Sequence, residues 1–418
     1  MPDDSASQPP LRLLRVLTRP NLGGPTRQAI ALWHAQRSLG IETLLVTGAV
    51  GPEEVELSPA GHDVPPLPPD ARRAGRLRPG WLQLADLGRG VDPLADRRAG
   101  RELRQLIRAW RPHVVHTHTS KAGMVGRRAA RAERVPVVAH TFHGHVLHDY
   151  FSWLPSLLLG RLERRLARHT DLLFAVSASC ADELAACRVA PRARFAVTPP
   201  AVEVPEALGR DAARARLGLA ADAWVVAAVG RLVPIKRLHD FVEMVARGGQ
   251  PAGQPGDQPG DLPGDLHGDV LGDGPLRDQL TAQAERTCGG RLRVRGAEPD
   301  AARLLPAYDA VVLPSVREGC PLVAIEAFLA GVPVVGYDVP GVRDALGSVG
   351  RGLLVPVADG PAGLLEAVVR IRNDANLRST LVDQAVAASR QCRPEVVGRQ
   401  LAAAYRGALA AGGSSVTI

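Results

Sequence analysis

Short apolar runs of strand length alternate with longer helical patterns along this chain, and the whole alternation occurs twice. This pattern is typical of an open parallel β-sheet with helices on both faces, because each parallel strand needs a crossover connection. The runs extend from LRLLRVL to RFAVTPP in the first half and from AWVVAAVG to GLLVPV in the second. We therefore predict an α/β fold of two Rossmann-like, doubly wound parallel-sheet domains. Ligands of such sheets bind beyond the carboxyl ends of the strands, so we expect the site in a cleft where the two sheets face each other.

The chain of 418 residues is long enough for two domains of ordinary size. A proline-rich, extended segment follows the last run of the first half and predicts a linker. We place an N-terminal domain at 1–205 and a C-terminal domain at 206–390, followed by a terminal segment at 391–418. Residues 248–269 repeat a Pro-Gly-Asp pattern that cannot build a core, and they predict a flexible insertion.

Several features of the composition exclude whole classes of protein. No run of 18 apolar residues is present, so no membrane-spanning helix is expected. The N-terminal sequence MPDDSASQPP lacks the apolar centre of a secretory signal. Five cysteines are scattered without the spacing of metal ligands, which is typical of reduced thiols. We expect a cytoplasmic protein.

The net charge of +8 is concentrated in the first half, since residues 1–200 hold 28 of the 51 basic residues and 18 of the 43 acidic ones. A basic half predicts an anionic partner, which is a membrane surface, a phosphorylated acceptor or nucleic acid. Nucleic acid ranks third, because aromatic residues for base stacking make up only 4% of the chain. We predict no nucleic-acid partner.

Lysine is rare, since only Lys121 and Lys236 occur among the 51 basic residues. Each is a candidate for a site that needs a compact ammonium group. Lys236 ends the segment GRLVPIK, which follows a buried strand directly. Gly230 allows a sharp turn there, and Arg231 can hold a phosphate through two parallel hydrogen bonds. The alternative is a loop with ordinary surface cations.

The sharpest motif is REGCPLVAIEA, which follows the apolar run AVVLPS and precedes an apolar helix. Pro321 suits the first helical turn, and the backbone amides from Gly319 to Leu322 predict an anion site at the positive end of the helix dipole. On one helix, Glu318 and Glu326 would lie roughly 12 Å apart, too far for a retaining glycosidase pair. They suit one long ligand with hydroxyls at both ends and a phosphate between. The alternative is one capping and one solvent-facing glutamate.

Two further segments lie at strand ends of the first half. Gly23 and Gly24 permit close approach of a ligand to the backbone, although a simple strand-to-helix turn explains them equally. HTHTSK and HTFHGH bring several histidines to neighbouring strand ends. A zinc site is the less favoured reading, because no carboxylate or cysteine accompanies them at ligand spacing. His143, which precedes a glycine, is the best candidate to point into the cleft.

Together these segments resemble the retaining glycosyltransferases of family 4, which have the GT-B fold. The resemblance covers nearly the whole chain and is most specific in GRLVPIK, GDGPLR and LPSVREGCPLVAIEAFLAGVPVV. The segment from HTHTSK to HTFHGH is similar to members that build bacterial surface polysaccharides. The resemblance implies an acceptor-binding first domain, a nucleotide-sugar-binding second domain and a C-terminal helix that returns to the first.

The resemblance also implies roles for single residues. Arg231 and Lys236 would neutralise the donor diphosphate, with the amides from Gly319 to Leu322 on the phosphate or the sugar. Glu318 would hold hydroxyls of the transferred sugar, and Glu326 would bind the ribose. The remaining assignments are His143 facing the reacting sugar, Gly23, Gly24 and Lys121 near the acceptor, and Arg295 near the base.

The implied function is transfer of a sugar from a nucleotide diphosphate, most often UDP, to a glycan or lipid-linked acceptor in cell-envelope or glycoconjugate synthesis. No DxD-type metal motif appears, so we expect no metal and no cofactor besides the donor. One departure is the polar, glycine-interrupted strand at 264–271, which predicts a weakened second sheet. The alternatives are a non-hydrolysing sugar-nucleotide 2-epimerase and a degenerate, non-catalytic protein that acts through partners.

Residues 154–168 form a short basic amphipathic pattern, in which leucines recur every fourth position from Leu154 to Leu166. Arginines flank these leucines on the predicted helix. Such a helix can dock on an anionic membrane and reach a lipid-linked acceptor, which predicts peripheral contact at the inner face of the membrane. The alternative is a surface helix that packs its leucines on the first domain.

Overall fold

A computed structural model gives the fold of the chain. It describes residues 10–412 apart from 52–53, 89, 91, 145–152, 204–206, 250–264 and 348–349, and the side chains of 153–156 are also left out. Most of the predicted insertion, the linker residue Pro205 and the side chain of Leu154 therefore lie outside the described residues. The chain divides into two compact units. The first contains the chain up to Ala201 together with the chain from Cys392 onward, and the second is Val202–Gln391.

The first unit is built on a seven-stranded parallel sheet in the order β3-β2-β1-β4-β5-β6-β7. The strands are β1 Leu11–Leu17, β2 Ile41–Thr47, β3 Gly80–Gln83, β4 Val114–His118, β5 Val137–Phe142, β6 Leu172–Ala175 and β7 Phe195–Val197. The order reverses between β1 and β4, which is the arrangement of a doubly wound sheet. The sequence analysis missed β3, because this edge strand has four residues inside a proline- and glycine-rich region.

The helices of the first unit are α1 Gly24–Arg37, α2 Pro93–Trp110, α3 Ser120–Ala132, α4 Trp153–Ala167, α5 Ala178–Ala186 and, at the end of the chain, α14 Pro394–Ala410. Their starts follow local signals; Asp92, for example, accepts hydrogen bonds from the amides of Leu94 and Ala95 and caps α2. The C-terminal helix α14 belongs to the core of this unit, since Val397, Leu401 and Tyr405 are buried in one cluster with residues of β1 and α1.

The second unit repeats the architecture with six parallel strands in the order β10-β9-β8-β11-β12-β13. The strands are β8 Trp224–Val229, β9 Leu266–Leu271, β10 Leu292–Gly296, β11 Ala310–Leu313, β12 Val334–Tyr337 and β13 Leu353–Val355. The helices are α6 Arg210–Leu217, α7 Leu238–Arg247, α8 Arg277–Thr287, α9 Ala301–Leu304, α10 Leu322–Leu329, α11 Pro340–Leu346, α12 Gly360–Asn373 and α13 Ala375–Ser389. The prediction of two doubly wound parallel sheets is confirmed.

The strand β9 corrects the expectation of a weakened sheet, because it pairs with β8 on one side and with β10 on the other. Its glycine is used for packing: a Cβ at Gly268 would stand 2.8 Å from Val245 Cγ2 of α7. Its polar residue is satisfied internally, since Asp269 is 1% exposed and accepts hydrogen bonds from Arg295 Nε at 2.6 Å and Tyr308 Oη at 2.9 Å. The sequence of β9 is less hydrophobic than that of a usual buried strand, and it nevertheless forms an internal strand of the sheet.

Candidate active site

The predicted donor-binding residues of the second unit follow the two strands between which its strand order reverses. The segment Gly230–Lys236 comes directly after β8, and Glu318 lies in the loop that follows β11. Ligands of open α/β sheets bind at such a reversal, because the loops on its two sides diverge and leave a crevice. The fold therefore brings the two sharpest sequence motifs to the ligand-binding edge of one sheet.

The loop after β8 is held by close backbone contacts with the loop after β9. Leu232 N donates to Asp273 O at 2.9 Å, and Leu276 N donates to Leu232 O at 3.1 Å. A Cβ at Gly272 would lie only 1.8 Å from Gly230 O, so this position accepts glycine alone. Val316 N donates to Ile235 O at 3.1 Å and ties the same loop to the segment after β11. Lys236 is thus presented on a fixed loop.

Lys236 and Glu318 form an ion pair through Lys236 Nζ and Glu318 Oε1. The side chains are 21% and 11% exposed, respectively, so the pair is largely screened from water while one side remains reachable. Low exposure strengthens an electrostatic interaction, because less solvent screens the charges. The structure therefore joins the predicted phosphate-binding lysine to the predicted sugar-binding glutamate.

The helix α10 starts at Leu322, and Pro321 occupies its N-cap with no side-chain capping bond. The sequence analysis placed Pro321 in the first turn, so this detail was off by one position. No acidic residue lies in the first turn, which leaves the positive end of the helix dipole without a side-chain carboxylate there. Because the helix starts after Glu318, Glu318 and Glu326 do not share one helix, and the 12 Å estimate does not apply.

Glu326 lies in the second turn of α10 and is 6% exposed. The loop that carries Glu318 is backed by α11, because a Cβ at Gly341 would stand 2.1 Å from Glu318 O. Arg231 is exposed at the start of its loop. The described residues of this edge thus provide an exposed guanidinium, a paired ammonium, a helix N-terminus and two carboxylates.

The guanidinium of Arg295, which the resemblance places near the base, is engaged inside the unit. Its Nε pairs with Asp269 Oδ2 at 2.6 Å, and its Nη2 donates to Leu217 O at 2.9 Å. Because Asp269 is buried, removing Arg295 would leave a buried carboxylate without its counter-charge. Arg295 therefore supports the strand β9, and its place near the base stays a prediction.

In the first unit, the reversal of strand order brings together the ends of β1 and β4. Thr18 Oγ1 lies 2.6 Å from Thr119 Oγ1 and accepts a hydrogen bond from Ala122 N at 3.1 Å, so a residue just after β1 caps the start of α3. Thr119 has a φ of 65°, which is rare for a residue with a β-branched side chain. Gly23 is the N-cap of α1, and Gly24 is its first residue.

Lys121 was predicted near the acceptor, and the structure shows which groups its ammonium contacts. Its Nζ pairs with Asp96 Oδ1 at 2.7 Å and also donates to Gly90 O. The side chain is 13% exposed, so the ammonium joins α3 to α2 and to the loop before α2. The place of Lys121 near the acceptor stays a prediction.

Four histidines lie at the ends of β4 and β5 and form a polar cluster, in which His116, His118 and His140 are buried and His143 is partly exposed. His118 Nδ1 lies 2.9 Å from His143 Nε2, and Thr117 Oγ1 lies 2.8 Å from His140 Nδ1. Burial and the positive charge of Arg15 lower the pKa of His143 to about 4. The pKa of His118 is also well below its usual value, mainly because of burial. Both rings are therefore neutral at pH 7.

A zinc site built from these histidines finds no support in the described part of the chain, where no group of three or more His, Cys, Asp or Glu side chains could hold a metal ion. His145 and His148, in the stretch after β5, lie outside the described residues.

The surface of α4 differs from the predicted leucine stripe. Leu166 is 8% exposed and packs inward, whereas Leu157 and Leu158 are 43% and 57% exposed. The inward face is fixed by a buried ion pair between Glu163 Oε2 and Arg127 Nη2 at 2.6 Å. The outward side carries an open depression of ≈ 430 Å³ lined by Arg161, Arg164, Arg165, Arg168 and His169. No helix in the described part of the chain is long and apolar enough to cross a membrane.

Comparison with known proteins identifies the family. Residues 23–201 match the model described as a glycosyl transferase 4-like domain, and residues 223–374 match the model of glycosyl transferases group 1. A 2-deoxystreptamine N-acetyl-D-glucosaminyltransferase of Streptomyces fradiae is 31% identical over 70% of this chain and 69% of that protein. The chain is a glycosyltransferase of the family 4 type. The epimerase alternative is therefore set aside.

Other relatives of this glycosyltransferase agree with the assignment. The UDP-Gal:alpha-D-GlcNAc-diphosphoundecaprenol alpha-1,3-galactosyltransferase of Escherichia coli is 29% identical over 74% of this chain and 77% of that protein. The crystal structure of Anabaena HepE in complex with UDP and glucose superposes with a TM-score of 0.71 at 18% identity, covering 95% of this chain and all of that one. The structural likeness confirms the GT-B fold.

Proposed function

We propose that this glycosyltransferase uses a UDP-sugar as donor and binds its nucleotide diphosphate at the edge of the second sheet. The observation that supports this most is the meeting of Lys236 and Glu318 beside the N-terminus of α10. A nucleotide sugar needs a cation for the diphosphate next to an acceptor for the sugar hydroxyls, and this pair provides both. The preference for UDP is supported by the Escherichia coli relative, named for UDP-Gal, and by HepE, which was solved with UDP.

In the proposed complex, the diphosphate lies between Lys236 and the N-terminus of α10. Arg231 donates a second pair of hydrogen bonds, and the amides from Gly319 to Leu322 complete the anion site. Glu318 accepts from hydroxyls of the transferred sugar, and Glu326 accepts from the ribose. Since Glu318 already holds Lys236 in place, the ammonium is positioned before the donor arrives.

Catalysis then rests on the negative charge that gathers on the departing diphosphate. Fixed cations and helix amides aimed at that charge stabilise the transition state more than the ground state. Two cations and a helix dipole supply the positive charge that a bound Mg²⁺ supplies in other enzymes, so we propose a reaction independent of metal ions. His143 faces the reacting sugar, and Gly23 and Gly24 border the acceptor, in this proposal.

A binding and turnover panel tests the proposal. Purified protein in EDTA is mixed with UDP, GDP, ADP and their sugar conjugates, and the melting temperature is measured. A ligand that binds only the folded state raises the melting temperature, so UDP and one UDP-sugar should give the largest shifts. Release of UDP from that sugar nucleotide should depend on an added acceptor. A protein that binds no nucleotide, or that binds UDP without any turnover, would be the degenerate, non-catalytic form.

We further propose that the acceptor is lipid-linked and that α4 contacts the anionic membrane that carries it. The exposed Leu157 and Leu158 lie next to the arginines of the depression on α4, which is the composition of an interfacial helix. The Escherichia coli relative acts on a diphosphoundecaprenol acceptor. We accordingly propose that the protein binds peripherally at the inner face of the membrane.

The chain offers a matched control for the membrane contact. The triple variant L158A/R161A/R165A removes one exposed leucine and two arginines at positions i, i+3 and i+7. The variant L94A/R97A/R101A removes the same residue types at the same spacing on α2, where Leu94 is 63% exposed. The first variant should lose co-sedimentation with phosphatidylglycerol vesicles at low salt, and the second should keep it. If both variants lost co-sedimentation equally, binding to the vesicles would depend on general surface charge and not on α4.

A further inference from the structure

The ring of His118 is held between two other histidine rings at the end of β4. Its neighbour His116 stacks on it with ring centroids 4.4 Å apart and planes inclined by 24°, and the ring of His143 lies 5.2 Å away on a tilted plane. His118 is 1% exposed. Its ring therefore has little freedom to rotate.

His116 is fixed in turn by hydrogen bonds at both ring nitrogens. Its Nδ1 lies 2.5 Å from Tyr405 Oη of α14, and its Nε2 lies 2.7 Å from Thr141 Oγ1. The ring of His116 is therefore fixed, and its stacking on His118 restricts the orientation of the His118 ring.

The hydrogen bond between His118 Nδ1 and His143 Nε2 can be formed in two ways, because two neutral imidazoles share one proton at this contact. His118 Nε2 decides between them, since it is buried and has no hydrogen-bond partner among the described residues. If His143 donated, His118 would carry its proton on Nε2, and a buried N–H would have no acceptor. If His118 donates from Nδ1, its Nε2 is only an unused acceptor, which is the less costly arrangement.

We infer that His118 is a positioning residue that holds His143 as the neutral tautomer with its proton on Nδ1. With Nε2 occupied by the His118 proton, His143 can offer only a hydrogen-bond donor through Nδ1. At the reacting sugar it would therefore donate to a hydroxyl or oxygen of the substrate, and it would not remove a proton. This role rests on the proposed function, in which His143 faces that sugar.

The charges around the pair agree with two neutral rings. Burial contributes most to keeping the pKa values of His143 and His118 low, and the positive charge of Arg15 adds to it at both rings. The neighbouring histidines add to it at His118. A protonated ring would have to share this cluster with the guanidinium of Arg15, which is completely buried.

Nitrogen-15 NMR of the wild-type protein labelled at histidine tests the tautomer without any assay of activity. We expect His143 Nε2 to show the chemical shift of an unprotonated, hydrogen-bonded nitrogen and His143 Nδ1 that of a protonated one at pH 7. The His143→Ala variant assigns the signals. A protonated Nε2 on His143, or an averaged pair of shifts, would overturn the inference.

Turnover of the donor identified by the nucleotide panel tests the consequence. The side-chain amide introduced by H118N would place an N–H near the position of Nδ1, so H118N should retain kcat within about threefold, whereas H118L should lower kcat on the order of 10-fold to 100-fold. Neither should change the UDP-induced melting shift, because His118 lies in the first unit. Wild-type kcat in H118L would refute the positioning role. If H143A keeps full activity while NMR shows the expected tautomer, the role of His143 in the proposed function fails and the tautomer assignment stands.

Discussion

Lys236 and Glu318, 82 positions apart in sequence, form one ion pair at the reversal of the second sheet. Each keeps the other in place, and each has a separate proposed task when the donor binds. The two side chains should therefore be energetically coupled, and changes at either position should not be independent of the other.

The first prediction concerns this coupling. K236M should lower kcat/KM by at least about 100-fold, because the departing diphosphate loses a fixed cation. E318Q keeps the shape of the side chain but releases Lys236, and it should lower kcat/KM less. The double variant K236M/E318Q should lose less than the product of the single effects. Strictly multiplicative losses in steady-state kinetics would show that the pair does not act as a unit.

The second prediction concerns the proposed ribose ligand. E326Q should abolish most of the melting shift that UDP produces, because a carboxylate accepts hydrogen bonds from two hydroxyls and the amide oxygen accepts less strongly. The matched control is E243Q on α7, where the glutamate is 44% exposed in a surface pair with Arg247. E243Q should keep the full shift. An unchanged melting shift in E326Q would show that Glu326 does not bind the ribose.

The third prediction distinguishes structural support by Arg295 from its predicted place at the base. R295M should lower the free energy of unfolding of the second unit by about 3 kcal/mol, because Asp269 then keeps a buried charge whose one remaining side-chain partner among the described residues is Tyr308. The KM for the donor should stay near the wild-type value. Urea unfolding is followed by tryptophan fluorescence with and without the W224F substitution, and the difference reports on the second unit, because Trp224 is the one tryptophan between residues 202 and 391. A raised KM with unchanged stability would support the place at the base.

The fourth prediction concerns pH and the histidine cluster. His116, His118, His140 and His143 all have pKa values below 6.5 in the folded state, and that of His143 is about 4. As the pH falls below 6.5, the unfolded chain takes up protons that the folded first unit does not. The first unit should therefore be destabilised from about pH 6.5 downward, by up to about 1.4 kcal/mol per pH unit for each histidine.

Urea unfolding of the W224F variant measures this effect, because its remaining tryptophans precede Ala201 and report on the first unit. The range from pH 7.5 to 5.5 avoids the titration of ordinary carboxyl groups. H140Q, which removes one buried ring of the cluster, should reduce the slope, and replacement of His239, which lies in the second unit, should not. A stability that stays constant over this range would contradict the prediction.

Much of the fold could be predicted from the sequence because buried parallel strands are nearly continuous apolar runs, as in VVAAV of β8. The segment at β9 did not fit that pattern, because it contains an aspartate and a glycine. The residues that contact these two positions are distant in sequence. Arg295 and Tyr308 satisfy Asp269, and α7 needs the space at Gly268. Such compensation depends on tertiary contacts, which local patterns do not contain.

The residues of the candidate site also differ in whether local sequence or tertiary contacts determine their role. Motifs with a local cause, such as a glycine turn after a strand or a helix start after Glu318, could be placed from the sequence. The engagement of Lys121 with Asp96 and the contact of His118 with His143 could not, because they join different elements. The rarity of lysine marked Lys121 as a candidate site residue, but it did not predict that Lys121 pairs with Asp96.

The membership of α14 in the first unit has a consequence for the order of synthesis. A ribosome that has reached Gln391 has produced every residue of the second unit, but the unit begun earliest still lacks Tyr405 and its apolar neighbours. The first unit is therefore the last to complete its core. Loss of α14 through a premature stop or proteolysis would damage the histidine cluster, because Tyr405 contacts His116, while the residues proposed to bind the nucleotide would all remain.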